Sequence, residues 1–207
     1  MVATQIAARG VKDVRVLQAL RDVPRHLFVP PHLRDDAYDD RPLPIGEGQT
    51  ISQPYIVASM TELLDVQPPH RVLDIGTGSG YQAAILARLA QAVVTIERHA
   101  PLAERARDIF AALDIRNVDV IVGDGSDGHA PLAPYDRILV AAGAPRVPEA
   151  LKAQLAEGGR LVIPVGPSGF QRLTLIERAG NAFTETAGEG CVFVPLVGRS
   201  AWPDSSA

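Results

Sequence analysis

The feature of this sequence that most restricts its fold is a glycine-rich run, Asp74-Ile75-Gly76-Thr77-Gly78-Ser79-Gly80, which begins inside the apolar segment RVLDI at 71–75. The apolar segment predicts a short buried strand, and the residues after Gly80, through Leu89, predict a helix. Alternating glycines between a strand and a helix allow the backbone to approach a ligand closely. In open α/β sheets, ligands bind at the carboxyl ends of the strands. The run therefore predicts a ligand site, although a tight turn without a ligand remains an alternative.

The rest of the chain supports a sheet of this kind, because apolar and amphipathic segments alternate along it. Further strands are predicted at 92–97, 118–122, 136–142 and 160–165, and helices at 101–113 and 148–156. This alternation predicts an α/β fold with a doubly wound, Rossmann-like, mostly parallel sheet. After Gly169 the helical pattern stops, and 172–178 and 191–197 predict a hairpin that forms an antiparallel edge at the C-terminus.

The N-terminal third differs in composition from this core. Residues 4–21 and 54–64 predict helices, whereas 24–54 contains six prolines and predicts a long ordered loop or a set of short turns. We expect a single domain over 1–207, with a helical and loop cap at 1–66 and a Rossmann-like core at 67–207. The final residues, 203–207, are expected to form a loose end.

Composition excludes several classes of function. The 20 basic and 24 acidic residues give a net charge of −4, so a nucleic-acid partner is not expected. Cys191 is the only cysteine, and the five histidines lack the spacing of metal ligands, so we expect no metal site. No segment approaches the roughly 18 apolar residues of a membrane helix. We therefore expect a cytoplasmic protein that does not contact a membrane. We also expect a monomer.

The glycine run also indicates which ligand it serves. The dinucleotide fingerprint needs a small residue at its third conserved position, and counting from Gly76 that position is Tyr81. The D-x-G-x-G-x-G form instead resembles the first motif of S-adenosylmethionine-dependent methyltransferases. Glu97 follows Gly78 by 19 residues at the end of the second predicted strand. A carboxylate there can accept hydrogen bonds from both ribose hydroxyls, or it is a solvated strand-end charge paired with Arg98.

A third candidate, Gly123-Asp124-Gly125, follows the third predicted strand. In Rossmann-like methyltransferases an acidic residue here commonly faces the adenine amino group. Because Asp-Gly is also a strong turn dipeptide, a plain turn is the alternative.

Segments outside these motifs make the resemblance more specific. The chain resembles the bacterial protein-L-isoaspartate O-methyltransferases from about residue 2 to 202, and the segment GEGQTISQP at 46–54 discriminates this family from other methyltransferases. Two departures occur: 129–136 lacks a tryptophan-proline pair that members often show, and Gly143 stands where alanine is common.

The resemblance implies a cofactor, S-adenosyl-L-methionine, and a function. That function is methylation of the free carboxyl of L-isoaspartyl residues in damaged peptides and proteins, which begins repair through a succinimide. It also implies site residues: Ser52 as the active-site serine, Val194 beside the substrate, and cofactor positions at Gln49, Thr50, Ile51, Asp74, Gly76, Gly78, Glu97, Asp124, Gly125 and Val197.

The implied chemistry is consistent with so few catalytic side chains. A carboxylate is already ionised at neutral pH, so positioning alone is required and no general base is needed. Ser52 would orient that carboxylate, or would merely cap the helix that begins near Pro54. Two other functions stay open: methylation of a different carboxylate substrate, and a cofactor-binding module without catalysis.

Overall fold

The sheet at the centre of the fold is built around five parallel strands. The structure is a computed structural model that describes residues 1–203. A small antiparallel hairpin, β1 (Leu43–Gly46) and β2 (Gln49–Ile51), precedes the sheet in the chain. The strands of the main sheet are β3 (Arg71–Ile75), β4 (Ala92–Glu97), β5 (Val118–Val122), β6 (Tyr135–Val140), β7 (Leu155–Val165), β8 (Gln171–Ala179) and β9 (Ala182–Cys191). Their order is β5-β4-β3-β6-β7-β8-β9, and the last two strands pair antiparallel.

Helices cover both faces of the sheet because alternate strand residues point to opposite sides. The helices are α1 (Val14–Asp22), α2 (Pro54–Leu64), α3 (Tyr81–Ala87), α4 (Ala100–Ala112) and α5 (Glu149–Ala153). Val72 and Val93 belong to the hydrophobic cluster under α1 to α4, whereas Leu73 and Val94 belong to the cluster under α5. The doubly wound, mostly parallel sheet with an antiparallel C-terminal edge is thereby confirmed.

The predicted C-terminal hairpin pairs the wrong segments. The partner of β8 is β9, which ends at Cys191. The rest of the predicted strand, 192–197, is instead an irregular segment with an isolated bridge between Gly143 and Pro195. The strand β9 is largely exposed and polar, so it lacks the apolar alternation that predicts a strand. The segment 192–197 is apolar for a different reason, which is that it lines cavities at the carboxyl edge of the sheet.

The N-terminal helix is also shorter than predicted. Residues 2–9 form two short helical turns that end at Gly10, whose φ of 106° stops the helix. The helix α1 then begins after Asp13, whose carboxylate caps it by accepting hydrogen bonds from the N–H groups of Arg15 and Val16. The predicted helix 148–156 is reduced to α5, since Leu155 already lies in β7.

The segment 24–54 is ordered, as predicted for a long loop. It contains helical turns at Arg25–Phe28 and Pro31–Leu33, followed by the β1–β2 hairpin. Ile6, Leu20 and Leu43 share one hydrophobic cluster with strand residues of the sheet, so the predicted cap at 1–66 packs directly on the predicted core at 67–207. The predicted loose end 203–207 lies outside the described residues except for Pro203.

Within the described part of the chain, no helix has the length and apolar character that crossing a bilayer requires. No group of three or more histidine, cysteine, aspartate or glutamate side chains in residues 1–203 is arranged to hold a metal ion.

Candidate active site

A cleft of about 660 Å³, here called the glycine cleft, opens at the carboxyl ends of β3, β4 and β6. It lies at the point where the strand order reverses on either side of β3, which is where open α/β sheets bind ligands. The cleft is lined by Gln49, Thr50, Gly76, Gly78, Ile96, Glu97, Arg98, His99, Ala141, Ala142, Val194, Pro195, Leu196 and Val197.

The floor of the glycine cleft is a turn that requires glycine. Gly76 and Gly78 have φ values of 92° and 52°, a left-handed backbone that other residues rarely adopt. The N–H groups of Gly76 and Thr77 donate to the Ile96 carbonyl at 2.9 and 3.2 Å, so the turn after β3 is attached to the end of β4. The absence of side chains at both glycines leaves backbone as the ligand-facing surface.

The Glu97 carboxylate accepts hydrogen bonds from the protein backbone and can still accept hydrogen bonds from a ligand. Its side chain is only 5% exposed. Oε2 accepts the Gly78 N–H at 2.8 Å and Oε1 accepts the His99 N–H at 2.9 Å. A carboxylate oxygen has two lone pairs, so each oxygen keeps one acceptor position free for a ligand hydroxyl. Glu97 is therefore a wall residue of the glycine cleft and not the solvated strand-end charge considered above.

Asp74 lies beneath the turn and does not line the cleft. Its side chain is 0% exposed, and Oδ2 accepts a hydrogen bond of 2.7 Å from the Thr95 hydroxyl. The Thr77 hydroxyl lies 2.6 Å from that of Thr95, so a series of hydrogen bonds connects Asp74 to the turn itself. Burial, opposed by the Thr95 hydrogen bond and reinforced by the charge of Glu97, raises the pKa of Asp74 to about 7. Its predicted contact with the cofactor stays a prediction, and the geometry favours support of the turn.

Asp124 lies in a neighbouring cavity, here called the C-terminal cleft, which shares Arg98 and Val197 with the glycine cleft. Its carboxylate accepts hydrogen bonds from the Ser126 N–H and hydroxyl and from the Arg199 N–H. Partial burial alone would raise the pKa of Asp124, but these hydrogen bonds and the Arg199 charge hold it below its ordinary value. The carboxylate thus anchors the segment that follows Val197.

Gly125 is buried and lines none of these cavities. A Cβ built on it would stand 2.6 Å from Cγ2 of Ile75, so the glycine is needed for close packing of this turn against β3. Its contact with a cofactor is therefore still only predicted.

Ser52 lines a second cavity of about 770 Å³, here called the serine cleft. The lining comprises Pro42, Thr50, Ser52, Gln53, Ile56, Ala141, Gly190, Cys191, Val192, Phe193 and Val194. Helix α2 begins with Pro54 and its cap position is Gln53, with no side-chain cap hydrogen bond, so the interpretation of Ser52 as a helix cap is wrong. The Ser52 hydroxyl makes no hydrogen bond to the described residues and remains available to a ligand.

The two clefts share a wall made of Thr50, Ala141 and Val194. Ser52 also lines a small hollow that shares Thr50 and Ala141 with this wall and is further lined by Ile51, Gly76, Gly78 and Tyr81. The structure therefore brings together most of the predicted residues. Those that line at least one of these cavities are Gln49, Thr50, Ile51, Ser52, Gly76, Gly78, Glu97, Asp124, Val194 and Val197.

Several lining residues were not predicted. Ala141 directly follows β6, and its place after the central strand could have suggested it. His99 lines the glycine cleft two residues after Glu97, and its ring lies 3.8 Å from the Glu47 carboxylate of the β1–β2 turn. Phe193 lines the serine cleft and Leu196 lines the glycine cleft. Neither was predicted, because the sequence predicts a strand at 191–197.

The departure at Gly143 has a packing explanation. A Cβ on Gly143 would stand 3.0 Å from Cδ of Gln171, a side chain that is 2% exposed. Gln171 Oε1 accepts the Phe193 N–H at 2.9 Å, and its amide nitrogen donates to the Pro167 carbonyl at 2.6 Å. Gly143 thus leaves room for a glutamine that holds the cleft-lining segment in place.

The other departure lies at 129–136, and the start of this segment is held in place by the side chain of Gln154. Its side chain accepts the His129 N–H at 2.8 Å and donates to the Asp127 carbonyl at 2.7 Å. The Tyr135 hydroxyl also donates to the His129 carbonyl at 2.8 Å, so an amide and a phenol side chain together fix the turn between β5 and β6.

The profile of one protein family, described as protein-L-isoaspartate (D-aspartate) O-methyltransferase, matches residues 1–201 of this chain. A protein of that name from Methanoregula boonei is 57% identical over 98% of this chain and 93% of its own length. This chain belongs to the protein-L-isoaspartate O-methyltransferase family. The resemblance predicted from the sequence is thereby confirmed.

Solved structures of the family agree with the fold described above. One protein-L-isoaspartate O-methyltransferase has a TM-score of 0.85 at 30% identity, and the match covers 94% of this chain and 64% of that longer chain. A Plasmodium falciparum member, solved with S-adenosyl-L-homocysteine, has a TM-score of 0.81 at 28% identity over 92% of this chain and 94% of its own.

Asp74 should make stability depend on pH. Its folded pKa of about 7 lies above the unfolded value of 3.8, so the native state alone keeps the proton between these values. The stability that this proton contributes is present below pH 4 and is lost as pH rises to 7. Asp74→Asn cannot ionise. Its free energy of unfolding should therefore rise relative to that of the wild type by about 1–3 kcal/mol between pH 5 and 8.

Urea denaturation of both proteins at several pH values measures this difference. Asp119→Asn, an exposed change on β5, is the matched control and should follow the wild type. A constant gap between Asp74→Asn and wild type across the range would contradict ionisation of Asp74 in this window.

Proposed function

We propose that this protein transfers the methyl group of S-adenosyl-L-methionine to the free α-carboxyl of L-isoaspartyl residues in peptides and proteins, which initiates their repair through a succinimide. The observation that carries the proposal is the position of Thr50–Ser52 between the glycine cleft and the serine cleft, with the Ser52 hydroxyl open to the latter. Family membership supplies the reaction, and this segment supplies a place where two ligands can meet.

The glycine cleft has the chemistry that this cofactor requires. Its floor at Gly76 and Gly78 is bare backbone, which admits a bulky ligand without collision. The open acceptor positions of Glu97 fit the two hydroxyls of a ribose, and the carboxylate repels a 2′-phosphate. We propose that Gln49, Thr50, Ile51 and Val197 contact the same ligand, with Asp124 turned toward its adenine end. Asp74 and Gly125 are proposed to act from below, by holding the two turns in shape.

The serine cleft is proposed to receive the isoaspartyl residue, with Val194 at its side. When bound in the neighbouring cleft, S-adenosyl-L-methionine supplies a methyl carbon whose bond to the sulfonium sulfur breaks as a carboxylate oxygen attacks it. The carboxylate is ionised at neutral pH, so no residue of this chain has to remove a proton. Ser52 donates a hydrogen bond that orients the carboxylate, and the wall of Thr50, Ala141 and Val194 aligns the two ligands.

We further propose that the protein acts as a monomer in the cytoplasm and without a nucleic-acid partner. The net charge of −4 disfavours contact with a phosphate backbone. The single cysteine is compatible with a reducing compartment.

The direct test compares two peptides that differ only in an isoaspartyl or an aspartyl residue. We expect methyl ester formation on the isoaspartyl peptide and little on its twin, because the aspartyl form lacks the free α-carboxyl. Release of labelled methanol measures the ester. Equal labelling of both peptides would favour a methyltransferase for another carboxylate, and no labelling with tight cofactor binding would favour a non-catalytic module.

Glu97→Gln should weaken cofactor binding while the fold is retained. The change removes the charge and one acceptor oxygen, and hydrogen bonds to a charged group contribute about 1.5–3 kcal/mol. Calorimetric titration with S-adenosyl-L-homocysteine should show this loss. Glu104→Gln, an exposed change on α4, is the control and should bind normally. An unchanged Kd with a lower Tm would assign Glu97 to structure alone.

Ser52→Ala should separate orientation from covalent catalysis. Loss of one hydrogen bond to a charged acceptor costs about 1.5–3 kcal/mol, so kcat/KM should fall roughly ten- to a hundredfold without vanishing. Affinity for S-adenosyl-L-homocysteine should be nearly unchanged.

Ser59→Ala is the matched control, because Ser59 is on α2 and its hydroxyl donates to Glu189 outside these clefts. Complete loss of turnover in Ser52→Ala would indicate a covalent nucleophile, and normal kcat/KM would exclude Ser52 from the reaction.

A further inference from the structure

Arg25 is the largest of the fully buried side chains, with 0% of its surface exposed. It lies in the helical turn Arg25–Phe28, before the β1–β2 hairpin. Burial lowers the pKa of Arg25 to about 10, so the side chain remains charged at neutral pH. Among the described residues, no carboxylate lies within ion-pair distance of its guanidinium. A buried charge without a partner costs stability, and an apolar side chain of the same size would avoid that cost.

The hydrogen bonds of Arg25 lead to the serine cleft. Nη2 donates to the Ser52 carbonyl at 2.8 Å, and Nε donates to the Ala37 carbonyl at 2.7 Å. Nη1 is buried and has no hydrogen-bond partner in the part of the chain that is described. The guanidinium carbon lies 4.8 Å from the ring centre of Tyr81, which lines the small hollow together with Ser52. Arg25 therefore supports the active-site segment from inside the protein.

Ser52 needs such support because of its place in the chain. It occupies a two-residue link between the end of β2 at Ile51 and the start of α2 at Pro54. Neither element holds the Ser52 carbonyl, whereas the neighbouring Gln53 carbonyl accepts the Val57 N–H of the helix. A hydrogen bond from a charged planar donor is stronger and more directional than one between neutral groups. The fork of Arg25 thus fixes the peptide that carries the Ser52 side chain.

We propose that Arg25 is a positioning residue of the methyl transfer, which acts by holding the Ser52 peptide so that the serine hydroxyl faces the acceptor carboxylate. This inference rests on the proposed function. It differs from a merely structural role in what it predicts, because misplacement of an orienting group lowers kcat more than it changes binding of either ligand.

The test uses Arg25→Met and Arg25→Lys in the full-length protein, assayed with the isoaspartyl peptide beside thermal melts. In Arg25→Met we expect kcat to fall by about tenfold or more, with peptide KM and the Kd of S-adenosyl-L-homocysteine changing by less than about threefold. Arg25→Lys keeps a charged donor but not the fork, and should recover part of the lost kcat.

Arg137→Met is the matched control. Arg137 is also buried and also donates to backbone carbonyls, those of Asp65 and Asp136, but it lies in the first half of β6 and lines neither the glycine cleft nor the serine cleft. The control should lower Tm without a comparable loss of kcat. If Arg25→Met and Arg137→Met lose activity only in proportion to their loss of stability, the positioning role is overturned.

A double-mutant cycle with Ser52→Ala tests whether Arg25 acts through that serine. In the Ser52→Ala background, Arg25→Met should lower kcat/KM by less than about threefold, because the group that it positions is already absent. Full additivity would overturn the proposal. If Arg25→Met does not fold, the same cycle is run with Arg25→Lys. A wild-type protein that fails to methylate the isoaspartyl peptide overturns the proposed function itself, whereas an active wild type with normal Arg25 variants overturns only the role of Arg25.

Discussion

The attachment of the glycine turn to the neighbouring strand is the interaction on which the rest of the site depends. The Ile96 carbonyl receives two N–H groups of the turn and the Glu97 carboxylate receives a third, so the ends of β3 and β4 are held at a fixed separation. Glu97 thereby has two tasks that reinforce each other. The hydrogen bond that shapes the turn also points the carboxylate into the glycine cleft, and any ligand of Glu97 contacts a side chain that is already oriented.

The C-terminal part of the chain forms the remaining lining of the two clefts. The segment 192–197 lines both major clefts, and it is held at one end by Gln171 and at the other by the contacts of Asp124 with Arg199. Further backbone hydrogen bonds join Val194 and Leu196 to Gly143. The site is thus assembled from the two distant ends of the sequence, with the hairpin β1–β2 on one side and this segment on the other.

Much of this could be predicted from the sequence where signals are local. The strands β3, β4 and β5 have the predicted bounds, because short apolar runs that alternate with amphipathic helices are typical of buried strands in a parallel sheet. The glycine run and Glu97 were found for the same reason. The pairing of β8 was not predicted, because β9 is an exposed polar edge strand without a periodic apolar pattern. The burial of Arg25 was not predicted, because a buried arginine has no sequence signature. Its surroundings come from Ala37, Ser52 and Tyr81, which are far apart in the chain.

The shared wall of Thr50, Ala141 and Val194 has a thermodynamic consequence. A molecule that occupies one cleft restricts the side chains that also face the other, so the free energies of occupancy of the two cavities are linked. Linkage is reciprocal, and whatever factor one occupant contributes to the affinity of the second, the second returns to the first. With the two ligands placed as proposed, the same linkage applies to the two products, so each product changes the equilibrium affinity of the protein for the other.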